Sequence, residues 1–319
     1  MPTEPYALCP MPHALCPVVP HLSEKGYISL FLAVRILKPS RSAMQNHLFQ
    51  LPVKRSKLRL YLGRYFYIFK RRFEWYFSNI KFATQIISEP LPVQIFTHQS
   101  ILMRQLQNVE MWLQYNKVTN LRLAIAPING LVIKPGEVFS FWYLVGNPTK
   151  QRGFELGMTL DNGTVKAGYG GGLCQLANLI YWMTLHSPLS IKERWRHSYD
   201  VFPDVNRTLP FGSGATLSYN YIDLQIENKT THNYQLCLWL TDEHLCGEIR
   251  SNVESLCSYE IVEKNHLISG PIAGRYMRQN QLIRQLRDPN TNQLLREEFI
   301  TENSALMMYA PLLSAENPN

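Results

Sequence analysis

The stretch GYGGGLCQLANLIYWMTLH, residues 168–186, decides how the rest of the chain is read. Gly168, Gly170, Gly171 and Gly172 leave a backbone free to turn sharply. From Leu173 to His186 no Pro or Gly intervenes, and Leu173, Leu176, Ile180 and Met183 recur on one helical face. This pattern predicts a glycine loop opening directly into a helix, with Cys174 in the first turn. Unpaired N–H groups and the helix dipole stabilise an anion there. A thiol so placed can ionise well below its usual pKa of ~8.5. Cys174 is therefore a candidate nucleophile. The amides of Gly170, Gly171 and Gly172 are candidate oxyanion donors, with Gln175 beside them. Packing gives the same residue another role, a small hydrophobe at the start of a core helix. The loop lacks the Gly-Lys-Ser/Thr of a phosphate-binding loop and the spacing of a dinucleotide fingerprint.

A cysteine nucleophile needs a base. His197 lies 23 residues after Cys174, on a segment that reads as a strand returning from the helix through His186-Ser187-Pro188. Asp200 or Asp204 could orient its imidazole. Arg194 and Arg196 are suited to a substrate carboxylate. A solvated histidine on a polar strand is the plainer reading of His197. His186, at the helix end, reads as a favourable C-terminal charge. No metal site is indicated: HExxH, Cys-x2-Cys and paired His spacing are all missing. Asp242, Glu243, His244 and Cys246 read as a solvated hairpin tip. Nothing in the motifs calls for a cofactor.

Most of the remaining grammar is strand and turn. Leu131–Ile133 and 138–142 read as strands about a turn at 134–137. Residues 215–221 alternate like a strand, with a bulge near Ile222. Residues 235–240 and 245–249 read as a hairpin in which Cys237 opposes Glu248 and Cys246 opposes Trp239. The two thiols are then too far apart for a disulfide. A second hairpin is signalled about 288–292. Upstream, Leu102, Leu106, Val109 and Leu113 predict an amphipathic helix over 100–118, with Ser100 as its N-cap.

The chain has 319 residues, 45% of them hydrophobic and 12% aromatic, which argues against wholesale disorder. Six cysteines are too sparse for a small disulfide scaffold. No window resembles a membrane span or a signal peptide, so the sequence alone reads as cytoplasmic. The net charge of +8 is concentrated at 54–81, where nine cations face only Glu74. That segment is basic and aromatic without a proline. It reads either as an interfacial helix on an anionic membrane or as a helix docked on the domain with its charges snorkelling. No recognised nucleic-acid motif accompanies the charge. Before it, a proline-rich start with Ala-Leu-Cys-Pro twice predicts that 1–43 is a leader or a spurious extension. The expected organisation is then 1–43, a basic aromatic helical segment at 44–99, and an α+β domain at 100–319. That domain is mainly antiparallel β, with the helix of Cys174 inserted and N-terminal helices before it.

Five blocks together resemble the VanW family. They are Pro135-Gly136-Glu137-x-Phe139-Ser140 with Val145-Gly146; Gly170-Gly171-Gly172-Leu173-Cys174-Gln175; Glu193-Arg194 with His197-Ser198; Gly212-Ser213-Gly214-Ala215-Thr216; and Asp223-Leu224-Gln225. Their order and spacing cover roughly 78–259. VanW proteins accompany some glycopeptide-resistance clusters. Related VanW domains of envelope proteins act as peptidoglycan L,D-transpeptidases through the cysteine of this glycine motif. The resemblance implies Cys174 as nucleophile with His197. It implies Arg194, Arg196, Ser198, Ser213 and Asp223 as substrate contacts, and a peptidoglycan stem peptide or precursor as partner. It also implies an envelope location. The alternative it leaves is an accessory that binds a wall precursor without chemistry.

Overall fold

The chain divides into two compact units, Met1–Arg55 and Ser56–Asn319. The computed structural model describes residues 56–103, 110–161, 164–197, 199–201, 209–272 and 275–309. The leader expected at 1–43 therefore lies outside the described residues, as do Asp204, Ser198, Leu106 and Val109.

The elements run α1 (Lys57–Phe77), β1 (Lys81–Phe82), β2 (Gln85–Ile86), β3 (Val93–Ile101), α2 (Met111–Ile125), β4 (Leu131–Ile133), β5 (Glu137–Ser140), α3 (Phe141–Val145) and the hairpin β6 (Leu156–Asp161) and β7 (Thr164–Tyr169). Then follow α4 (Leu173–Leu185), β8 (Ser190–Glu193), β9 (Tyr199–Asp200), β10 (Gln225–Glu227), β11 (Tyr234–Leu240), β12 (His244–Ser251), β13 (Ser258–Ile272), β14 (Arg275–Arg287) and β15 (Leu294–Met307). One sheet has the order β1-β5-β10-β8, a second β2-β4-β11-β12-β3, and a third β13-β14-β15-β9. Among the described residues only β1–β5 and β9–β15 pair in parallel. The fold is α+β with a predominantly antiparallel β domain.

The hairpin of β11 and β12 has Cys237 opposite Glu248 and Trp239 opposite Cys246, the register that its alternation predicts. Both thiols are free. Two expectations are corrected. The helix predicted from Ser100 begins instead at Met111, and Ser100 pairs with Leu245 within β3. Val93–Ile101 alternates between faces and is rich in β-branched and aromatic residues, so it completes the edge of the second sheet. Residues 215–221 do not form a strand; a lone bridge from Ser218 to Ile222 stands there, and the strand proper starts at Gln225.

The core gathers around α4, which packs on β3, β8 and β12. No charged residue occurs in its 13 positions. Its contact with β12 depends on Gly247, where an added Cβ would come within 2.8 Å of Met183 Cε and 3.1 Å of Leu179 Cδ2. Among α4 residues only Cys174, Gln175 and Asn178 escape full burial. They lie at i, i+1 and i+4, one short stripe at the N-terminal end.

Candidate functional site

The loop before α4 is built by close approach. Gly172 has φ +93°, and a Cβ there would fall 2.2 Å from Lys117 Cγ. Lys117 is itself buried on α2, with Nζ donating to Gln114 Oε1 at 2.7 Å and to the Leu102 carbonyl. Asn120, also on α2, donates to the carbonyls of Glu155 and Gly171 at 3.0 Å each and accepts from Glu155 N–H. The amides of Gly170, Gly171 and Gly172 donate to the carbonyls of Glu155, Gly168 and Met158. In this arrangement the three amides expected as oxyanion donors are engaged within the fold. A close-packed loop must satisfy its own amides.

The N–H groups of Leu173 and Gln175 likewise donate to Gly170 and Gly172. Those of Leu217 and of Cys174 itself act on the Cys174 sulfur instead. Burial pushes the thiol up, and these two amides pull it back only in part. Cys174 keeps partial solvent access but rests as a thiol, not as the thiolate that its helix position alone predicts.

The segment 212–217 forms the wall beside Cys174. Arg194 holds it, with Nε donating to Gly214 O at 2.8 Å and a second nitrogen to Gly212 O, while its guanidinium lies 4.9 Å over the Tyr181 ring. Asn178 Oδ1 accepts from Ala215 N–H at 2.6 Å, and Thr216 N–H donates to Trp195 O at 2.8 Å. Ser213 Oγ donates to Pro210 O at 2.6 Å. Gln175 Nε2 donates to Ser100 Oγ and Ile101 O at 2.9 Å each, tying α4 to β3.

His197 follows two residues after Trp195 and is partly buried, which pushes its imidazole down and leaves it neutral at pH 7. Among the described residues no hydrogen bond joins its ring to Cys174 or to Asp200. Asp200 accepts instead from Tyr309 Oη at 2.8 Å and lies 3.6 Å from Arg278. Arg196 donates to the His197 carbonyl at 3.3 Å. His186 is not a C-terminal charge: burial lowers its pKa, and its ring stacks on Phe96 at 4.2 Å.

Asp223 is fully buried. It accepts from Ser140 Oγ at 2.5 Å, Trp142 N–H at 3.1 Å and Leu224 N–H at 2.9 Å. Burial nevertheless pushes its pKa up to about 7, with Glu193 adding to the rise. Glu193 in turn pairs with the buried Arg71 of α1 at 2.6 Å. Arg194, Ser213 and Asp223, expected as substrate contacts, make these hydrogen bonds within the fold, as buried polar groups do. Sequence reasoning passed over Asn178 and Leu217. Asn178 is four residues from Cys174, so helical spacing could have found it; no local signal marks Leu217.

The family described as VanW like protein matches residues 116–250, a span that holds the glycine loop, Cys174, Asn178, Arg194, His197, the 212–217 segment and Asp223. A Vancomycin B-type resistance protein VanW from Enterococcus faecalis (strain ATCC 700802 / V583) is 38% identical over 185 residues, covering 58% of this chain and 67% of that protein. This chain belongs to the VanW family. Its VanW region also resembles the uncharacterized protein YoaR of Bacillus subtilis (strain 168), at 31% identity over 110 residues, 34% of this chain and 35% of that protein. No solved structure matches the chain. Among the described residues no cluster of three or more His, Cys, Asp or Glu side chains is placed to hold a metal ion in the VanW fold.

Proposed function

We propose that this VanW-family chain takes part in glycopeptide resistance by acting on a peptidoglycan stem peptide, with Cys174 as the attacking group of an acyl transfer. The observation that carries the reading is the placement of Cys174. It is at the open edge of an otherwise buried helix, beside Gln175 and Asn178 and next to the 212–217 segment that Asn178 and Arg194 hold in place. The sulfur would displace the amine of a terminal D-amino acid and form a thioester. That thioester would then pass to an acceptor amine, giving a crosslink, or to water. The thiol proton must leave first, and neutral His197 is the base offered by the neighbouring segment, approaching when substrate is bound.

A second reading has its own support. The thiol is held protonated and lacks a hydrogen bond to His197 in the free protein, which suits an accessory that binds a wall precursor without chemistry. Purified muropeptides separate the two. For an acyl transferase, intact mass shows a thioester adduct on the wild-type chain. Cys174→Ala, which suits a first helical turn, removes both adduct and turnover while folding is kept. Full turnover by Cys174→Ala would sink the nucleophile. Muropeptide binding of equal affinity in both chains, with no adduct in either, would establish the accessory.

A further inference from the structure

We propose that α1 is an interfacial helix whose outward face lies on an anionic lipid surface. One stripe of this helix is already occupied. Tyr67, Ile68, Arg71, Glu74 and Trp75 turn toward the domain, where Trp75 meets Tyr143 edge-on at 5.5 Å and Arg71 pairs with Glu193. The opposite face is apolar as well. Leu58, Leu62, Phe66, Phe69, Phe73 and Phe77 recur at spacings of three and four and are 55–72% exposed. Over 21 residues, at ~1.5 Å each, they make a ridge some 30 Å long. A continuous apolar ridge of this size marks a surface that something covers.

Charge selects the occupant. Arg59, Lys70 and Arg72 flank the ridge and Arg64 stands on the domain-facing stripe with Ile68, all four exposed and without ion pairs among the described residues. The segment 1–55 carries Lys25, Arg35, Lys38, Arg41, Lys54 and Arg55 against only Glu4 and Glu24, so its sequence offers these cations no matching negative charge. A second copy would set the same cations against each other. A nucleic acid could answer the charge but would leave Leu58 and Leu62 with no base to stack on. An anionic bilayer satisfies both features, burying the apolar ridge at the acyl boundary while its phosphates meet the flanking cations. Between α1 and the domain a cleft of about 270 Å³ opens beside the ridge, lined by Arg64, Tyr65, Ile68, Arg72, Asn147 and Tyr219. Its two guanidinium groups suit a lipid phosphate. Among the described residues no helix is long and apolar enough to cross a membrane, so the contact is along the surface.

The full chain is sedimented with vesicles of phosphatidylcholine alone or mixed with phosphatidylglycerol, at about 0.05 M and about 0.5 M salt. Binding is expected only to the mixed vesicles and is expected to fall in the higher salt, where screening shortens the Debye length several-fold. Each cation near the surface is worth about fivefold in partition, so Arg64→Gln with Arg72→Gln should weaken binding on the order of 30-fold. Phe66→Ser with Phe69→Ser should remove it, with an unchanged circular dichroism spectrum and melting midpoint. Cys174→Ala should bind vesicles as the wild type does, which keeps this result separate from the fate of the acyl-transfer reading. Three results would each overturn the proposal. One is binding indifferent to lipid charge and salt. Another is full competition by free inorganic phosphate, which would mark a soluble-anion site. The third is no vesicle binding, with the phenylalanine variant either breaking a dimer or losing retention by single-stranded DNA.

Discussion

Helices α1 and α4 are both apolar around most of their circumference, yet one is the centre of the core and the other has half its surface in solvent. The difference lies in what interrupts the apolar residues. α4 contains no charge, so sheets and strands can close over it on every side except the stripe of Cys174, Gln175 and Asn178. α1 carries six cations in 21 residues, and among the side chains described only Arg71 is buried, taking both Glu74 and Glu193 as partners. An apolar helix becomes core only where its charges can all be placed outside or paired.

The first way to break this contrast is to remove the pair. Arg71→Ala leaves Glu193 unpaired beside buried Asp223 and should cost about 3–5 kcal/mol in chemical denaturation. A loss within experimental error would mean that α1 is not held by this contact. The second concerns Asp223, which titrates near 4 in an unfolded chain and at about 7 in the folded one. The folded protein thus keeps a proton that the unfolded chain has released, and stability should fall as pH rises from about 4 to about 7. Asp223→Asn should flatten this slope relative to the wild type. An unchanged slope would show that the hydrogen bonds from Ser140 and Trp142, not burial, govern the carboxyl. The smallest effect belongs to the outer face. Phe69→Ala should move stability by no more than about 0.5 kcal/mol, and a melting shift of several degrees would place Phe69 against the domain after all.

The two helices also show what could be read in advance. Gly172 before Leu173 marks the start of α4 because only glycine tolerates the positive φ against Lys117. The β11–β12 register follows from alternation, since slipping by one residue would expose Leu236 and Leu238. The start of α2 was misread because Leu102 is a genuine core residue at helical spacing from its neighbours, yet it ends a strand. The candidate site was legible as residue types but not as roles. Arg194, Ser213 and Asp223 look like ligand-binding groups in one dimension. Their partners, the carbonyls of Gly212, Gly214 and Pro210 and the hydroxyl of Ser140, appear only when distant segments meet.

That dependence on distant segments gives the wall beside Cys174 a place in time. Phe211 O accepts from Asn280 Nδ2 at 2.7 Å, and β9 closes the third sheet by pairing with Leu306 and Met307 of β15. During synthesis, at ~5–20 residues per second, α4 can form and bury its apolar surface many seconds before β15 leaves the ribosome. Over that interval the thiol stands at the end of a finished helix while the hydrogen bond from Asn280 to Phe211 and the pairing of β9 with β15 are still to come. The chain therefore makes the helix of Cys174 before the strand that completes the third sheet, so a stalled or shortened product would present that helix on a core whose third sheet is still open.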